Sequence, residues 1–391
     1  MKRNKIYILL LSGLLMASCS KEEQPSPTPG GEDALVTVSV AVDGVAKTKS
    51  GDGVQSKASE TTPTEEENAI KNLTVVFIDA ARNEVIGHTY KNVTDGETDN
   101  NKVTVALKTG TYKMLVMANT KEVNSFVPKD YYDLITSLSE QGEGFVMSNI
   151  AQNVEIRAIE GDKKNVNEIS EKVKRVVGRV DLSKLDVNWK DEDLQKIEGL
   201  EFHLTQVFLA NVRPESYLFD MTDWKFEADA DNKHPMEIKE GYSCGIGIEE
   251  YFHGGDIAEG NEKDDNLSKG FSPATTIKPD EESHTDLASF YAMTNSDTKE
   301  SGSAPVILYI KGDLYDSKNN KPVLTNRCYR IKLAKGVQRN TIYKIEATIE
   351  GKGSPDPGDN KENVKMSVTI SVETWVGVTL DTITIDEEIE I

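Results

Sequence analysis

The chain has 391 residues, with 45 basic and 66 acidic side chains and a formal net charge of −21. A protein with this excess of negative charge repels nucleic acid and anionic lipid, which argues against a nucleic-acid-binding role. The hydrophobic fraction of 37% is low for one large core but sufficient for β-sandwiches in which each sheet has one face in water.

The first 18 residues predict a secretory signal. Three basic residues precede an apolar run over residues 6–16, and the small residues Ala17 and Ser18 come directly before Cys19. The run is shorter than the roughly 20 residues that a membrane span needs. Cys19 in this position forms a lipobox. We therefore expect cleavage before Cys19 and attachment of diacylglycerol to its thiol, with acyl chains such as palmitate anchoring the protein to the outer membrane.

Residues 19–33 predict a lipidated tether, since they are polar and rich in Pro and Gly and cannot build a core. The next nine residues, ALVTVSVAV over 34–42, alternate strictly between apolar and small or polar side chains. This pattern is typical of a half-buried β-strand. The side chains on its apolar face are Val36, Val38, Val40 and Val42.

Residues 44–68 lose this pattern and form a polar segment of about 25 residues, which is long for a loop inside a compact domain. Such a segment is a good protease target. Its lysines, Lys47, Lys49 and Lys57, are the candidate processing sites.

Further strands are predicted over 70–79, 85–90, 103–107, 112–118 and 154–159. The run over 70–79 is more continuously apolar than the others, which suits a central strand. Residues 128–141 predict a helix, because apolar side chains recur there at helical spacing. Those side chains are Tyr131, Leu134, Ile135 and Leu138. We therefore assign residues 34–168 to an N-terminal β-rich domain with at least one short helix.

Residues 169–391 are assigned to a second β-rich domain. Its predicted strands cover 173–185, 202–212, 305–314, 328–333, 343–350 and 364–372, with extensions over 375–380 and 383–385. Between them, residues 213–300 are long and polar. Cys244 and Cys328 lie in this domain, and the sequence does not decide whether they form a disulfide.

No pattern in the chain supports catalysis or a cofactor. Residues 241–245 match G-x-S-x-G, but neither a buried strand precedes them nor a helix follows. Residues 227–231 resemble the start of a calcium loop, but Asn232 and Ile238 replace the turn glycine and the closing Glu. The five histidines lack metal-ligand spacing. We expect a protein without enzyme activity, cofactor or metal.

Several segments occur in an order that resembles one family. They are IKNLTVVFIDA (70–80), YKMLVMANT (112–120), VKRVVGRVDL (173–182), FYAMTNS (290–296), PVILYIKGDL (305–314), RNTIYKIEATIEGKGSPDP (339–357) and VKMSVTISVETWVGV (364–378). Together with the lipobox, the tether and the valine-rich strand, they resemble the fimbrillin family, the FimA-type major fimbrial subunits of Bacteroidales. The resemblance spans most of the mature chain and is weakest over 213–285.

The resemblance implies a mainly β fold with two transthyretin-like β-sandwich domains in tandem. It also implies a surface-exposed fimbrial (pilus) subunit that supports adhesion and colonisation. In this family a trypsin-like surface protease removes the first strand, and a C-terminal strand of another copy or of a related subunit fills the groove. The corresponding donor segment here is about 364–391. Its candidate residues are Trp375, Val376, Val378, Leu380, Ile383 and Ile385.

The physics of this exchange is also readable from the residues. Removal of a strand with four valines on one face would expose an apolar groove and unpaired backbone groups, which are a template for strand addition. A head-to-tail contact of this kind generates an open filament.

The loop departs from the family pattern. Related major subunits are cut after an Arg, but this chain has no Arg between Arg3 and Arg82. Either a protease that accepts Lys cuts the loop, or the first strand stays in place. The second case predicts an unprocessed fimbrial anchor or a tip adhesin that binds a host or bacterial surface ligand. A glycan-binding surface lipoprotein is a third alternative.

Overall fold

A computed structural model describes most of the chain after the predicted tether, with gaps. The described residues are 31–44, 65–93, 101–122, 131, 134–137, 140–141, 144–161, 164–210, 215–219, 268–269, 275–294, 306–333, 336–355, 365–375 and 379–385. No helix among them is both long and apolar enough to cross a bilayer.

The described residues of the first half of the chain are mostly in strands. Its elements are β1 (Asp33–Val42), α1 (Glu65–Asn68), β2 (Asn72–Asp79), β3 (Val85–Asn92), β4 (Lys102–Lys108), β5 (Gly110–Ala118), β6 (Ile135–Ser137), β7 (Met147–Ile156) and β8 (Val166–Arg175).

The described residues of the second half are also mostly in strands. Its elements are β9 (Val177–Val187), α2 (Glu192–Gln195), β10 (Leu200–Ala210), β11 (Glu215–Tyr217), β12 (Ser268–Lys269), β13 (Thr275–Ile277), β14 (His284–Met293), β15 (Val306–Asp316), β16 (Lys321–Leu333), β17 (Thr341–Ile349), β18 (Met366–Thr374) and β19 (Thr379–Ile385).

Seven strands of the first half form one sheet in the order β3-β2-β5-β7-β8-β1-β4. The pairing between β7 and β8 is limited to two residues at one end, so the sheet opens there into two layers. The two edge strands approach each other, since a Cβ on Gly87 of β3 would come within 2.6 Å of the Leu107 side chain of β4. The sheet therefore curls around an apolar core. The continuous apolar run of β2 lies between β3 and β5, as its pattern predicts.

The second half contains a four-stranded sheet, β13-β10-β15-β16, and a six-stranded sheet, β12-β14-β9-β17-β18-β19. Their apolar faces supply the second part of the core, for example Phe202 of β10 and Ile345 of β17, both fully buried. The predicted fold class, mainly β with two sandwich domains in tandem, is confirmed.

The helix predicted over 128–141 is wrong where the structure describes this segment. Ile135–Ser137 forms β6, which pairs antiparallel with β11. Ile135, expected on the buried face of a helix, is 54% exposed. The polar side chain of Glu140 instead accepts hydrogen bonds from the Thr136 hydroxyl and the Ser137 amide, which folds the chain back after the strand. The short helix of this half is α1.

The domain boundary predicted between 168 and 169 falls inside β8. β8 pairs in parallel with β1 and so belongs to the first sheet, whereas β9 belongs to the six-stranded sheet. The chain changes sheets at Val176, which is fully buried. The sequence pattern predicted one strand over 173–185, which spans this point, because valines lie on both sides of it.

Candidate functional site: the first strand, its junction and the C-terminal strand

β1 occupies an interior position in its sheet. It pairs antiparallel with β4, where Val36 faces Val105, and in parallel with β8, where Val38 faces Ile169. All four valines of the predicted apolar face are buried, with Val36 and Val38 at 0% exposure. Burial of each contributes roughly 1.5–3 kcal/mol before entropy is subtracted. Both backbone edges of β1 and one side-chain face are therefore engaged within the subunit.

The other face of β1 is partly exposed and carries Thr37 and Ser39 beside Leu35. The hydroxyl of Thr37 lies 3.1 Å from that of Thr104 on β4, across the strand pair. At the start of the strand, the Asn165 side-chain amide donates to the Asp33 carbonyl at 2.8 Å. The Thr109 amide donates to the Glu32 carbonyl at 2.8 Å. β1 is thus held at its beginning by neighbours on both sides.

The end of β1 enters a buried polar junction centred on Arg175, the last residue of β8. Arg175 is 0% exposed. Its guanidinium donates to the Asp43 carbonyl at 3.1 Å, directly after β1, and to the Glu67 carbonyl of α1 at 2.9 Å. It also donates to the side chain of Asn340 at 2.9 Å. One side chain therefore ties the residue after β1 and the helix α1 to the second domain.

Arg175 remains a hydrogen-bond donor despite its burial. Removal from water lowers its pKa to about 10, although the nearby Glu67 carboxylate opposes this shift. The group is still charged at neutral pH, and its donors are distributed over backbone carbonyls and amide oxygens. Such a buried cation is tolerated only because its donors find partners.

Glu67 forms the second half of the junction, and its carboxylate is almost fully buried. Arg179 of β9 donates to it at 3.0 Å, and the Tyr291 hydroxyl of β14 also donates to it. Burial acts to lower the pKa of Arg179, but the carboxylates of Asp181 and Glu67 raise it above its usual range. Burial beside Glu67 raises the pKa of Tyr291, so its hydroxyl stays a donor. These hydrogen bonds from β9 and β14 therefore hold α1 against the six-stranded sheet.

Trp375 packs against the same junction and is fully buried. The Arg175 guanidinium lies 4.5 Å from the centre of its ring, a cation–π distance, and that of Arg179 lies at 5.7 Å. On another side, Gly44 approaches so closely that a Cβ there would lie 2.7 Å from the Trp375 Cβ. Gly44 has φ +86°, a conformation that favours glycine.

The C-terminal strand β19 is held much less firmly than β1. It lies at the edge of the six-stranded sheet and pairs only with β18, with an irregularity where Glu373 faces Thr379. Leu380 is 59% exposed, and Ile383 is only partly buried. An edge strand with exposed apolar side chains and unpaired backbone groups is a natural template for pairing with another chain.

The structure brings the predicted site residues together only in part. Val36, Val38, Val40 and Val42 share the buried face of β1, as expected. Trp375 is separated from Leu380 and Ile383, because it is buried in the junction while they lie on the edge strand. Cys19, Lys47, Lys49, Lys57, Val376 and Val378 lie outside the described residues, as does the side chain of Ile385. These assignments stay predictions.

The segments that resemble catalytic or metal-binding motifs lie largely outside the described residues. Residues 227–231 and 241–245, and with them Cys244, lie outside the described residues, while Cys328 is buried in β16. Among the residues that the structure describes, no three His, Cys, Asp or Glu side chains are grouped to hold a metal ion.

Sequence reasoning missed the junction itself. Arg175 and Arg179 stand in VKRVVGRVDL and Asn340 follows Arg339, all within segments that carry the family resemblance. The signal that was present is a pair of arginines inside a valine-rich strand pattern, where a solvated cation is unexpected.

Comparison with known proteins supports one family. Residues 36–179, from β1 to the start of β9, match the model of the major fimbrial subunit protein (FimA) family. The resemblance to FimA-type fimbrial subunits is confirmed. The match supports a role as a structural subunit of a fimbria rather than as an enzyme. No curated protein matches the sequence.

Solved structures share the fold of this FimA-like chain. A fimbrilin (FimA) from Porphyromonas gingivalis W83 is 18% identical, with a TM-score of 0.52, over 88% of this chain and 98% of its own. A proposed cell adhesion protein from Parabacteroides distasonis is also 18% identical, with a TM-score of 0.54, over 89% of this chain and 100% of its own. At these identities the match establishes the fold alone, and it covers both halves of the chain.

Proposed function

We propose that this protein is exported as a lipoprotein anchored through Cys19 and polymerises into a fimbria by strand replacement. A surface protease cuts the segment between β1 and α1, β1 leaves, and the C-terminal strand of another subunit takes its place. The observation that carries this proposal is the contrast between two strands: β1 fills an interior groove, and β19 is an exposed edge strand. The partners are other copies of this chain and related fimbrial subunits.

The energetics favour a lasting join. A strand in the β1 position makes backbone hydrogen bonds with both β4 and β8, each worth roughly 0.5–1.5 kcal/mol net. It also buries four valine-sized side chains in the core. Without β1, the backbone N–H and C=O groups of β4 and β8 that pair with it stay unpaired until another strand binds. Ile383 supplies an apolar side chain of suitable size, and a head-to-tail contact of this kind can propagate as a filament.

A disulfide staple tests strand replacement directly. The paired hydroxyls of Thr37 and Thr104 are 3.1 Å apart, so their side chains are close enough for a disulfide between the two strands. The double variant Thr37→Cys/Thr104→Cys should lock β1 to β4 and abolish filaments seen by electron microscopy of whole cells. A reductant should restore them. The single variant Thr37→Cys is the matched control and should assemble normally. Normal filaments from the oxidised double variant would refute strand replacement.

Lipidation and processing are tested separately. Cys19→Ala should release the protein from the membrane fraction, and the released protein should lack the mass of the attached lipid. The triple variant Lys47→Ala/Lys49→Ala/Lys57→Ala should keep β1 attached, which N-terminal sequencing of the surface form would show. Cleavage at an unchanged position in the triple variant would contradict the assignment of these lysines.

One observation favours a second candidate, an unprocessed fimbrial anchor. The segment between β1 and α1 contains no Arg, in contrast to the family pattern. An anchor would carry its first strand at the cell surface and would serve as the base of a filament made of related subunits. Intact N-terminal sequence in surface-assembled material, with filaments unaffected by the disulfide staple, would support it.

A further inference from the structure

The two strands that the proposed function exchanges meet at one residue. Trp375 is the first residue after β18, at the start of the connection to β19. The turn that ends β1, at Asp43 and Gly44, lies directly on it. We infer that Trp375 is a latch: β1 holds it in its buried seat, and the departure of β1 loosens β19. This inference rests on the proposed function.

The contacts around Trp375 support this reading. Gly44 lies against the Cβ and backbone of Trp375, and the guanidinium groups of Arg175 and Arg179 lie over its ring. Its indole N–H is buried and has no acceptor among the residues that the structure describes. A buried donor without a partner is unfavourable relative to the same group in water. The buried position of Trp375 is therefore stable only while the residues packed around it exclude water.

The departure of β1 would remove part of this packing. Arg175 would lose the Asp43 carbonyl, and Trp375 would lose the Gly44 turn. In contrast, Glu67 lies after the candidate cut sites Lys47, Lys49 and Lys57, so its bonds to Arg179 and Tyr291 would stay. The junction thus divides into a part that leaves with β1 and a part that remains. Water reaching the indole N–H would favour movement of Trp375 away from its seat.

β19 is the strand that such a movement would affect. It joins the sheet through β18 alone, and its pairing is irregular at the end nearest Trp375. A strand at an edge with few buried side chains opens locally far more readily than a central strand. Release of Trp375 would free the connected end of β19 and raise the fraction of time in which this strand is detached. The subunit would then donate its C-terminal strand chiefly after its own β1 has gone.

Two glycines provide a matched test. Gly44 and Gly161 both have positive φ, at +86° and +81°, so alanine is strained equally at both. A Cβ on Gly44 would collide with Trp375, whereas a Cβ on Gly161 has nothing within 4 Å. Hydrogen–deuterium exchange of the full mature chain, read by mass spectrometry, should show β19 exchanging about tenfold faster in Gly44→Ala than in wild type. In Gly161→Ala the rate should be unchanged. Protection of the central strand β15 should stay the same in both.

Equal β19 exchange in Gly44→Ala and wild type would overturn the latch, as would equal acceleration in both glycine variants. If Gly44→Ala does not fold, Trp375→Phe replaces it; faster exchange of β19 supports the latch, and an unchanged rate overturns it. These measurements use the monomer and need no filament. Failure of the latch would therefore leave strand replacement standing, and failure of the disulfide staple would leave the exchange result interpretable.

Discussion

β1 and β19 have opposite situations in the fold. β1 alternates apolar and polar residues over most of its length, and β19 does so over its last four residues, 382–385. β1 lies between β4 and β8 with its apolar face buried, whereas β19 lies at a sheet edge. The difference teaches that alternation fixes which face is apolar but not how many neighbours a strand has. The strand replacement proposed above makes use of this difference. In the proposed exchange, the strand that leaves is interior and requires a cut, and the strand that is donated is available at an edge.

The largest expected effect comes from placing the same charge on each strand. Val38→Asp buries a carboxylate at a fully enclosed position of β1, and should lower the free energy of unfolding by more than about 4 kcal/mol. Leu380→Asp, at an exposed position of β19, should change it by less than about 0.5 kcal/mol. Urea denaturation followed by circular dichroism would measure both. Similar losses in the two variants would contradict the interior and edge assignments.

A second effect sharpens the comparison at the junction that follows β1. Glu67→Gln keeps the shape of the side chain but removes the charge that Arg179 binds. It should lower the free energy of unfolding by about 1–3 kcal/mol, the range for a buried hydrogen bond to a charged group. Glu281→Gln is the control, because it removes a carboxylate from a pair with Lys278 whose side chains are half exposed, and no measurable loss is expected.

An unchanged stability in Glu67→Gln would mean that α1 is not fastened through this carboxylate. The part of the junction that remains after β1 leaves would then have to depend on the Arg175 contact with the Glu67 carbonyl, which the substitution does not touch. Thermal denaturation of the two Gln variants side by side distinguishes these cases.

Much of the β architecture could be predicted from short-range pattern. The alternation of residues 34–42 identified β1, and the continuous apolar run over 70–79 identified a central strand. The helix over 128–141 failed because apolar spacing alone cannot distinguish a helical turn from a short ribbon. β6 is fixed by its pairing with β11, in which Ser137 pairs with Glu215, 78 positions later in the chain (215 − 137).

The junction could not be predicted, because its contacts are long-range. Arg175 and Glu67 are separated by 108 positions, and Tyr291 and Glu67 by 224. Each is an ordinary charged or aromatic residue in its local sequence, and only the fold shows that it is buried. The donor segment was predicted as one unit over about 364–391, with Trp375 and the residues after it as its candidate residues. The structure separates Trp375, which is in the junction, from Leu380 and Ile383 on the edge strand.

The smallest expected effect concerns the outer face of β1. Thr37→Val removes the hydroxyl that pairs with Thr104 but keeps a β-branched side chain that suits a strand. Cross-strand pairs of this kind contribute roughly 0.2–1 kcal/mol, so the loss should stay within that range. The control is Thr382→Val on β19, an exposed side chain for which no measurable change is expected. Differential scanning calorimetry would resolve the two.

The size of this effect also decides how the disulfide staple is read. A small loss in Thr37→Val means that the outer face of β1 tolerates change, so that any assembly defect of the stapled variant comes from locking the strand. A loss well above about 1 kcal/mol would show that Thr37 supports the sheet beyond its pair with Thr104. The staple would then have to move to another pair in the same register, and Leu35 with Ala106 lies next to it on the same face of the two strands.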